Sequence, residues 1–274
     1  MIVLVDIGHN RIKWAVFNQN NLSEQISYEY NLKNYIKIIS ELVNGWVVLP
    51  KPPSRILISS VAEKEFNANL EQQIWDSYEL EPEYLVPGKS FQKLKNGYSE
   101  PDLLAIDRWL SLVGAYSLNN NKKSIHSAFC VIDCSTAITV DAVDSNGKHL
   151  GGLIIPGIRL MEQSLITNTK SIKSNKELVS NHNACDQSIN KNSFLANNTN
   201  HAMIGGIYYA VVTYIENIVA DLVALINSNY KVYLTGRDAD QLINMLNSDV
   251  TRENNMIEYE LNHSLVWQGM LSLI

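Results

Sequence analysis

Clustered positive charge is missing from this chain. Its 274 residues hold 22 Lys and Arg against 28 Asp and Glu, a formal charge of −6, and the nearest thing to a basic run is Asn121-Lys-Lys-Ser, which reads as a turn. Binding a nucleic-acid backbone depends on grouped cations, so no nucleic-acid partner is expected. Cysteine is scarce. Cys130, Cys134 and Cys185 form an odd set, which suits thiols used as small core residues in a reducing cytosol rather than a disulfide framework. The Cys-x3-Cys spacing lacks a second pair or a nearby histidine, which argues against zinc. Long apolar runs are lacking too. The longest, Ala202 to Ile215, is about fourteen residues before Glu216, short of what a bilayer requires. Asp6 interrupts the first apolar stretch with no basic segment before it, so no secretory leader and no membrane role are expected, and the protein is expected in the cytoplasm.

What is present is a duplication. Val3-Leu-Val-Asp-Ile-Gly-His-Asn-Arg-Ile-Lys-Trp-Ala-Val-Phe17 and Val131-Ile-Asp-Cys-Ser-Thr-Ala-Ile-Thr-Val-Asp-Ala-Val143 share a strand, an acidic turn and a second strand. Overlaid without a gap, Asp6 falls on Asp133, Gly8 on Ser135 and Ala15-Val16 on Ala142-Val143. A turn of small residues lets backbone N–H groups approach phosphate oxygens. A carboxylate at its mouth cannot bind phosphate directly and is explained by a cation between them. Asp-x-Gly on its own is a common hairpin turn; the pair points to a nucleotide site shared by two similar lobes.

The 46% apolar share supplies two cores, and the half-and-half placement of the repeat sets the lobes at residues 1–120 and 121–274. Strands are expected at Ile2–Val5, Ile12–Phe17, Arg55–Val61 and Glu83–Val86, with helices near Leu32–Val43 and Lys64–Trp75. Pro101 opens a further helix, Asp102–Tyr116, whose expected buried stripe is Leu103, Ile106, Leu110 and Val113. Asp107 lies at the edge of that stripe, where desolvation would raise its pKa and suit it to accept a proton; a plain ion pair or cap with Arg108 is the competing reading. In the second half, His149–Gly157 reads as a strand whose glycines allow close approach of backbone or ligand. Lys170–Asn200 is polar and loop-like. Ala202–Ile226 reads as a long helix, for a core or a subunit interface, and Lys231–Gly236 as a strand leading into a turn and helix.

At these residues the chain resembles the type III pantothenate kinases, in the superfamily of acetate kinase, sugar kinases, heat-shock chaperones and actin. The resemblance runs over nearly the whole length. It is carried by Asp6–Lys13, Ser59-Ser-Val61, Tyr98–Trp109, Asp133–Asp141, Gly151-Gly152 with Pro156-Gly157, and Thr199 before Gly206. The fold it implies is α/β, with two actin-like (ribonuclease H-like) lobes and an ATP cleft between them. The activity it implies is ATP-dependent phosphorylation of pantothenate, the first step towards coenzyme A, by a homodimer needing Mg2+ and a monovalent cation, K+ or NH4+.

By this resemblance Asp6, Ile7, Gly8, His9, Asn10, Arg11, Ile12 and Lys13 hold the ATP phosphates, with Asp6 reaching Mg2+ through water. Asp133 binds the monovalent cation and Thr136 the nucleotide. Tyr98, Ala105, Ile106, Asp107, Arg108 and Thr199 hold pantothenate, and Asp107 is the base. The chain departs from the family pattern at His9 and Asn10 (usually Asn and Ser/Thr), at Ala105 and Ser135 (usually Gly), and at Arg237, which replaces the second glycine after Thr235. Arg237 narrows the purine site, stacks on the base or meets a phosphate; the sequence leaves these open. The alternative to an active kinase is a catalytically weak or inactive relative acting as a regulatory or binding protein.

Overall fold

A computed structural model describes residues 1–121, 128–168, 195–226, 230–246 and 257–274. Cys185, Lys122, Lys123 and most of the Lys170–Asn200 stretch lie outside the described residues. The chain forms two compact units, Met1–Lys123 with Ser264–Ile274, and Ser124–His263. The last eleven residues, which sequence order placed with the second half, therefore go with the first unit.

In the first unit, β1 (Ile2–Ile7) turns into β2 (Arg11–Asn18), followed by β3 (Asn21–Leu22), β4 (Ile26–Glu29), α1 (Tyr35–Gly45), β5 (Arg55–Ser60), α2 (Lys64–Tyr78), β6 (Glu83–Tyr84) and a small hairpin of β7 (Ser90–Phe91) and β8 (Leu94–Lys95). The sheet order is β3-β2-β1-β5-β6, with β4 on β2; β1 is antiparallel to β2 and parallel to β5. Alternation along the strands divides the core. Val3, Val5, Ile7, Ile12, Trp14, Val16, Ile56 and Ile58 pack against Ile39, Leu42 and Val43 of α1 and Phe66, Leu70 and Ile74 of α2. The intervening Leu4 and Leu57, also buried, turn to the other face. There α3 (Ile106–Asn121) packs against β5, and the C-terminal helix Leu265–Ser272 against β1. Gly114 and Gly269 bring those two helices to backbone contact: a Cβ on Gly114 would strike the Leu265 carbonyl, and one on Gly269 the Leu110 carbonyl.

The helix expected from Asp102 begins later. Pro101–Leu103 is a single 3-10 turn and Leu104 is extended, so helical phase restarts at Ile106. This corrects the expected stripe. Leu103 is exposed, while Leu104, Ile106, Trp109, Leu110 and Val113 are buried.

The second unit repeats the plan. β9 (Ala128–Cys134), β10 (Ala137–Val143) and β11 (His149–Pro156) form a meander, then come α4 (Ile158–Asn168), α5 (Thr199–Ile226), β12 (Tyr230–Thr235), α6 (Ala239–Leu246) and β13 (Ile257–Leu261). Its order, β11-β10-β9-β12-β13, matches the first: an antiparallel hairpin whose first strand pairs in parallel with a later one. Asp6 thereby stands opposite Ser59, and Asp133 opposite Thr235.

The ungapped overlay slips at the turn. Asp6 pairs with Lys13, seven residues on, but Asp133 pairs with Thr139, six residues on. Ala15 therefore corresponds in pairing to Asp141, and a one-residue shift exchanges the two faces of a strand. The apolar stretch first read as too short for a membrane lies within the 28-residue α5, whose length and composition would suffice to cross one. Met203, Ile207, Tyr208, Val211, Ile215 and Val219 on one side of α5 pack into the second unit's core.

Candidate active site

In the first unit the acidic turn is built on the end of β1. Asp6 is buried, accepts a hydrogen bond from Ser59 Oγ at 3.2 Å on Oδ1, and has Lys13 Nζ 4.0 Å from Oδ2. Ile7 and Ile12 pair across the hairpin and are buried beneath it. Between them Gly8 N–H donates to Arg11 O at 2.9 Å, and His9 and Asn10 are exposed. Arg11 turns outward to Glu29 at 2.7 Å.

Tyr30 holds this turn from outside. Its phenol donates to Gly8 O at 2.5 Å and its backbone N–H to Asn10 O at 3.0 Å. Carbonyl and N–H point in opposite directions across a trans peptide, so fixing the Gly8 carbonyl on Tyr30 aims the His9 N–H the other way. That is the orientation a phosphate-binding turn needs. No sequence signal singles out Tyr30 for this role, because its partners are backbone atoms twenty or more residues away.

Asp107 lies in the first turn of α3. Burial pushes its carboxyl above the ordinary aspartate range; the Arg108 backbone N–H, which donates to Oδ1 at 2.8 Å, opposes this, as do the charges of His9 and Arg108. The helix N-terminus also favours the carboxylate. Arg108 is buried, with Nη1 donating to the Tyr98 hydroxyl at 2.9 Å and its guanidinium carbon 5.5 Å from the Tyr98 ring centre. Ala105 and Ile106 supply the backbone before them, Ala105 O accepting from Trp109 N at 3.0 Å. The first unit thus brings Tyr98, Asp107 and Arg108 together, with His9 in electrostatic reach of Asp107.

In the second unit Asp133 is the penultimate residue of β9 and accepts from Ser135 Oγ at 2.5 Å. The Cys134–Thr136 segment is held by backbone: Ser135 N–H donates to Ala137 O, Gly157 N–H to Thr136 O at 2.9 Å, and Asp238 N–H to Cys134 O at 3.0 Å. Two glycines explain the fit. A Cβ at Gly157 would overlap the Ser135 and Thr136 carbonyls, and one at Gly236, whose φ is +93°, would overlap Asp133 Oδ1 and the Cys134 carbonyl. The expected close approach, of backbone or ligand, is made by backbone at Gly157, while no described protein atom lies within 4 Å of a Cβ on Gly151.

Arg237 turns to Asp238, Nε to Oδ1 at 3.5 Å. Two carboxylates that sequence reading passed over stand near: Asp238, buried with Oδ2 lacking a hydrogen bond, and Glu162 of α4, buried with Oε1 likewise unbonded. Burial raises the Glu162 carboxyl, and the charge of Asp238 adds to that. Cys130 and Cys134 are buried free thiols whose pKa values burial raises, to about 12 for Cys130, so they are core residues and not nucleophiles. Thr199 is the exposed first residue of α5, one residue after Asn198, whose Oδ1 accepts from His201 N–H at 2.9 Å.

Among the described residues no group of three or more His, Cys, Asp or Glu is arranged to hold a metal. A magnesium ion bound mainly by nucleotide phosphates needs one or two carboxylates from the protein. The buried Asp6, beside the Gly8–Asn10 turn, fits that requirement.

The sequence profile of the type III pantothenate kinase family matches residues 2–221. A type III pantothenate kinase of Nitrosococcus oceani is 32% identical over 249 residues, 90% of this chain and 86% of that protein. One from Dichelobacter nodosus is 29% identical over 99% of this chain and 97% of its own length. Among solved structures, a conserved Baf family protein from Campylobacter jejuni superposes with a TM-score of 0.56 at 18% identity, covering 99% of this chain and 96% of its own. Glucokinase from Balamuthia mandrillaris does so with 0.54 at 9% identity, covering 98% and 92%. These structural likenesses establish the actin-like two-lobed α/β fold. With the profile spanning most of its length and curated relatives aligned almost end to end, the chain belongs to the type III pantothenate kinase family.

Proposed function

We propose that this protein transfers the γ-phosphoryl group of ATP to the primary hydroxyl of pantothenate. The observation that carries the reading is the grouping of Asp107, Arg108 and Tyr98 at the start of α3: a desolvated carboxylate beside a guanidinium held in place by a phenol. Arg108 binds the pantothenate carboxylate through its planar fork, with Tyr98 fixing the plane of that fork. Ala105 and Ile106 border this group, and the family resemblance assigns Thr199 to pantothenate as well. Asp107 orients the hydroxyl and accepts its proton as the oxygen bonds to the γ-phosphorus and the bond to the bridging oxygen of ADP breaks. Lys13 and the N–H groups of the Asp6–Lys13 turn receive the phosphates, and Thr136 contacts the nucleotide.

Asp6 would hold Mg2+ through water, and Asp133 a monovalent cation, K+ or NH4+. When bound, these ions neutralise phosphate charge. A cytoplasmic homodimer is part of the reading. Exposed Leu153 and Ile154 on the edge strand β11, with Leu160 and Leu165 of α4 and Tyr209 of α5, provide apolar surface for it, and one stripe of α5 packs into the second unit's core.

Purified protein given ATP, Mg2+ and pantothenate should release ADP in a pantothenate-dependent manner, faster in K+ than in Na+. Absence of pantothenate-dependent ADP would leave the non-catalytic binding relative as the reading.

A further inference from the structure

On the α1/α2 face of the first unit, beside the Gly8–Asn10 turn, is a cavity of about 340 Å3, a size suited to a small molecule. Its walls include the rings of Tyr30, Tyr35 and Phe66; the Phe66 ring centre is 5.0 Å from that of Tyr30 and 5.6 Å from that of Tyr35. Glu63 and Glu65 also line it and are exposed, and Tyr35 donates to Glu65 Oε1 at 3.0 Å. His9 is the one basic side chain among its described lining residues. ATP and pantothenate are anions, so the two carboxylates disfavour both. Aromatic faces beside carboxylates are the surroundings of a cation carried on an apolar body.

We propose that this cavity is an effector site for a small organic cation, a primary or quaternary ammonium on an aromatic or aliphatic body, and that its occupancy is felt at the phosphate turn through Tyr30. Tyr30 is a wall of the cavity and, through its phenol on Gly8 O, the strut of the turn. A cation that draws the phenol into the cavity loosens the Gly8 carbonyl. The Gly8–His9 peptide can then rotate and take the His9 N–H out of line. The sign of the coupling, a loss of ATP affinity, rests on the kinase reading; the binding itself does not.

The test is calorimetric titration of the full chain at neutral pH with 2-phenylethylamine, and with 2-phenylethanol as its neutral isostere, in the absence of ATP and pantothenate. The amine should bind at least about tenfold more tightly than the alcohol, and Glu63→Gln with Glu65→Gln should abolish the difference. Saturating amine should weaken ATP binding by about fivefold or more. Tyr30→Phe, which keeps the ring and removes the strut, should still bind amine while losing that effect on ATP. Equal affinity for amine and alcohol, no saturation by the amine, or a preference that survives the double Gln substitution overturns the site. Amine binding that leaves ATP affinity unchanged in the wild type overturns the coupling through Tyr30.

Discussion

The Tyr98 hydroxyl accepts a hydrogen bond from Arg108 Nη1 at 2.9 Å while its ring lies 5.5 Å from the guanidinium carbon, so one aromatic side chain fixes both the position and the plane of a buried cation. Lysine cannot reproduce a planar fork. Arg108→Lys should raise the KM for pantothenate by about tenfold or more, with the KM for ATP nearly unchanged. Tyr98→Phe, which keeps the ring, should show a smaller effect of the same kind. Steady-state kinetics with each substrate varied in turn checks both.

Asp107→Asn should lower kcat by about a hundredfold or more, as expected for a positioned base. The same substitution should make the protein more stable at neutral pH. Burial raises the folded-state pKa of Asp107 above its unfolded value, so its favourable contribution is complete below the unfolded pKa and is lost as pH rises through the folded one. Asparagine avoids that loss. Melting temperatures of the two proteins should converge in acid, below about pH 4, and separate in favour of the variant as pH rises.

Gly236→Ala should damage the second acidic turn specifically. The residue sits at φ +93°, and its new methyl would meet Asp133 Oδ1 and the Cys134 carbonyl. A strained residue of this kind costs about 1–3 kcal/mol. Displacement of Asp133 should also reduce the stimulation of turnover by K+. Denaturant unfolding and a K+ titration measure the two effects.

Asp141 and His149 form a pair within the second unit, Oδ1 to Nε2 at 2.9 Å, with His149 fully buried. His149→Phe removes the imidazole and leaves the acid without it, which should cost about 3 kcal/mol of stability. Turnover per folded molecule should be kept, since neither residue belongs to the phosphate turns or the Asp107 group. Chemical denaturation alongside active-site-normalised kinetics tests this.

Both hairpins were legible because alternating apolar residues and an Asp at the same point mark them independently of tertiary contact. The Asp133 hairpin nevertheless turns one residue sooner than the Asp6 hairpin, and no local signal encodes that. Leu103 fitted a helical stripe by spacing, but Pro101 starts a separate 3-10 turn and the extended Leu104 resets the phase. The helix Leu265–Ser272 went unread because it is short and contains Gly269, a poor helix residue chosen for what it touches, the Leu110 carbonyl. Tyr30, Glu162 and Asp238 were passed over as neighbours of the site for a similar reason. Their significance comes from backbone or burial partners distant in sequence.

The helix Leu265–Ser272 is translated after every strand of the second unit, yet it is a wall of the first. A nascent chain can therefore complete the second unit while α3, which begins beside Asp107, still lacks the surface that Gly114 is shaped to meet. The first unit is the last to be complete in chain order, and a fragment ending at residue 263 would carry all of the predicted phosphate and pantothenate residues without the helix that packs on α3.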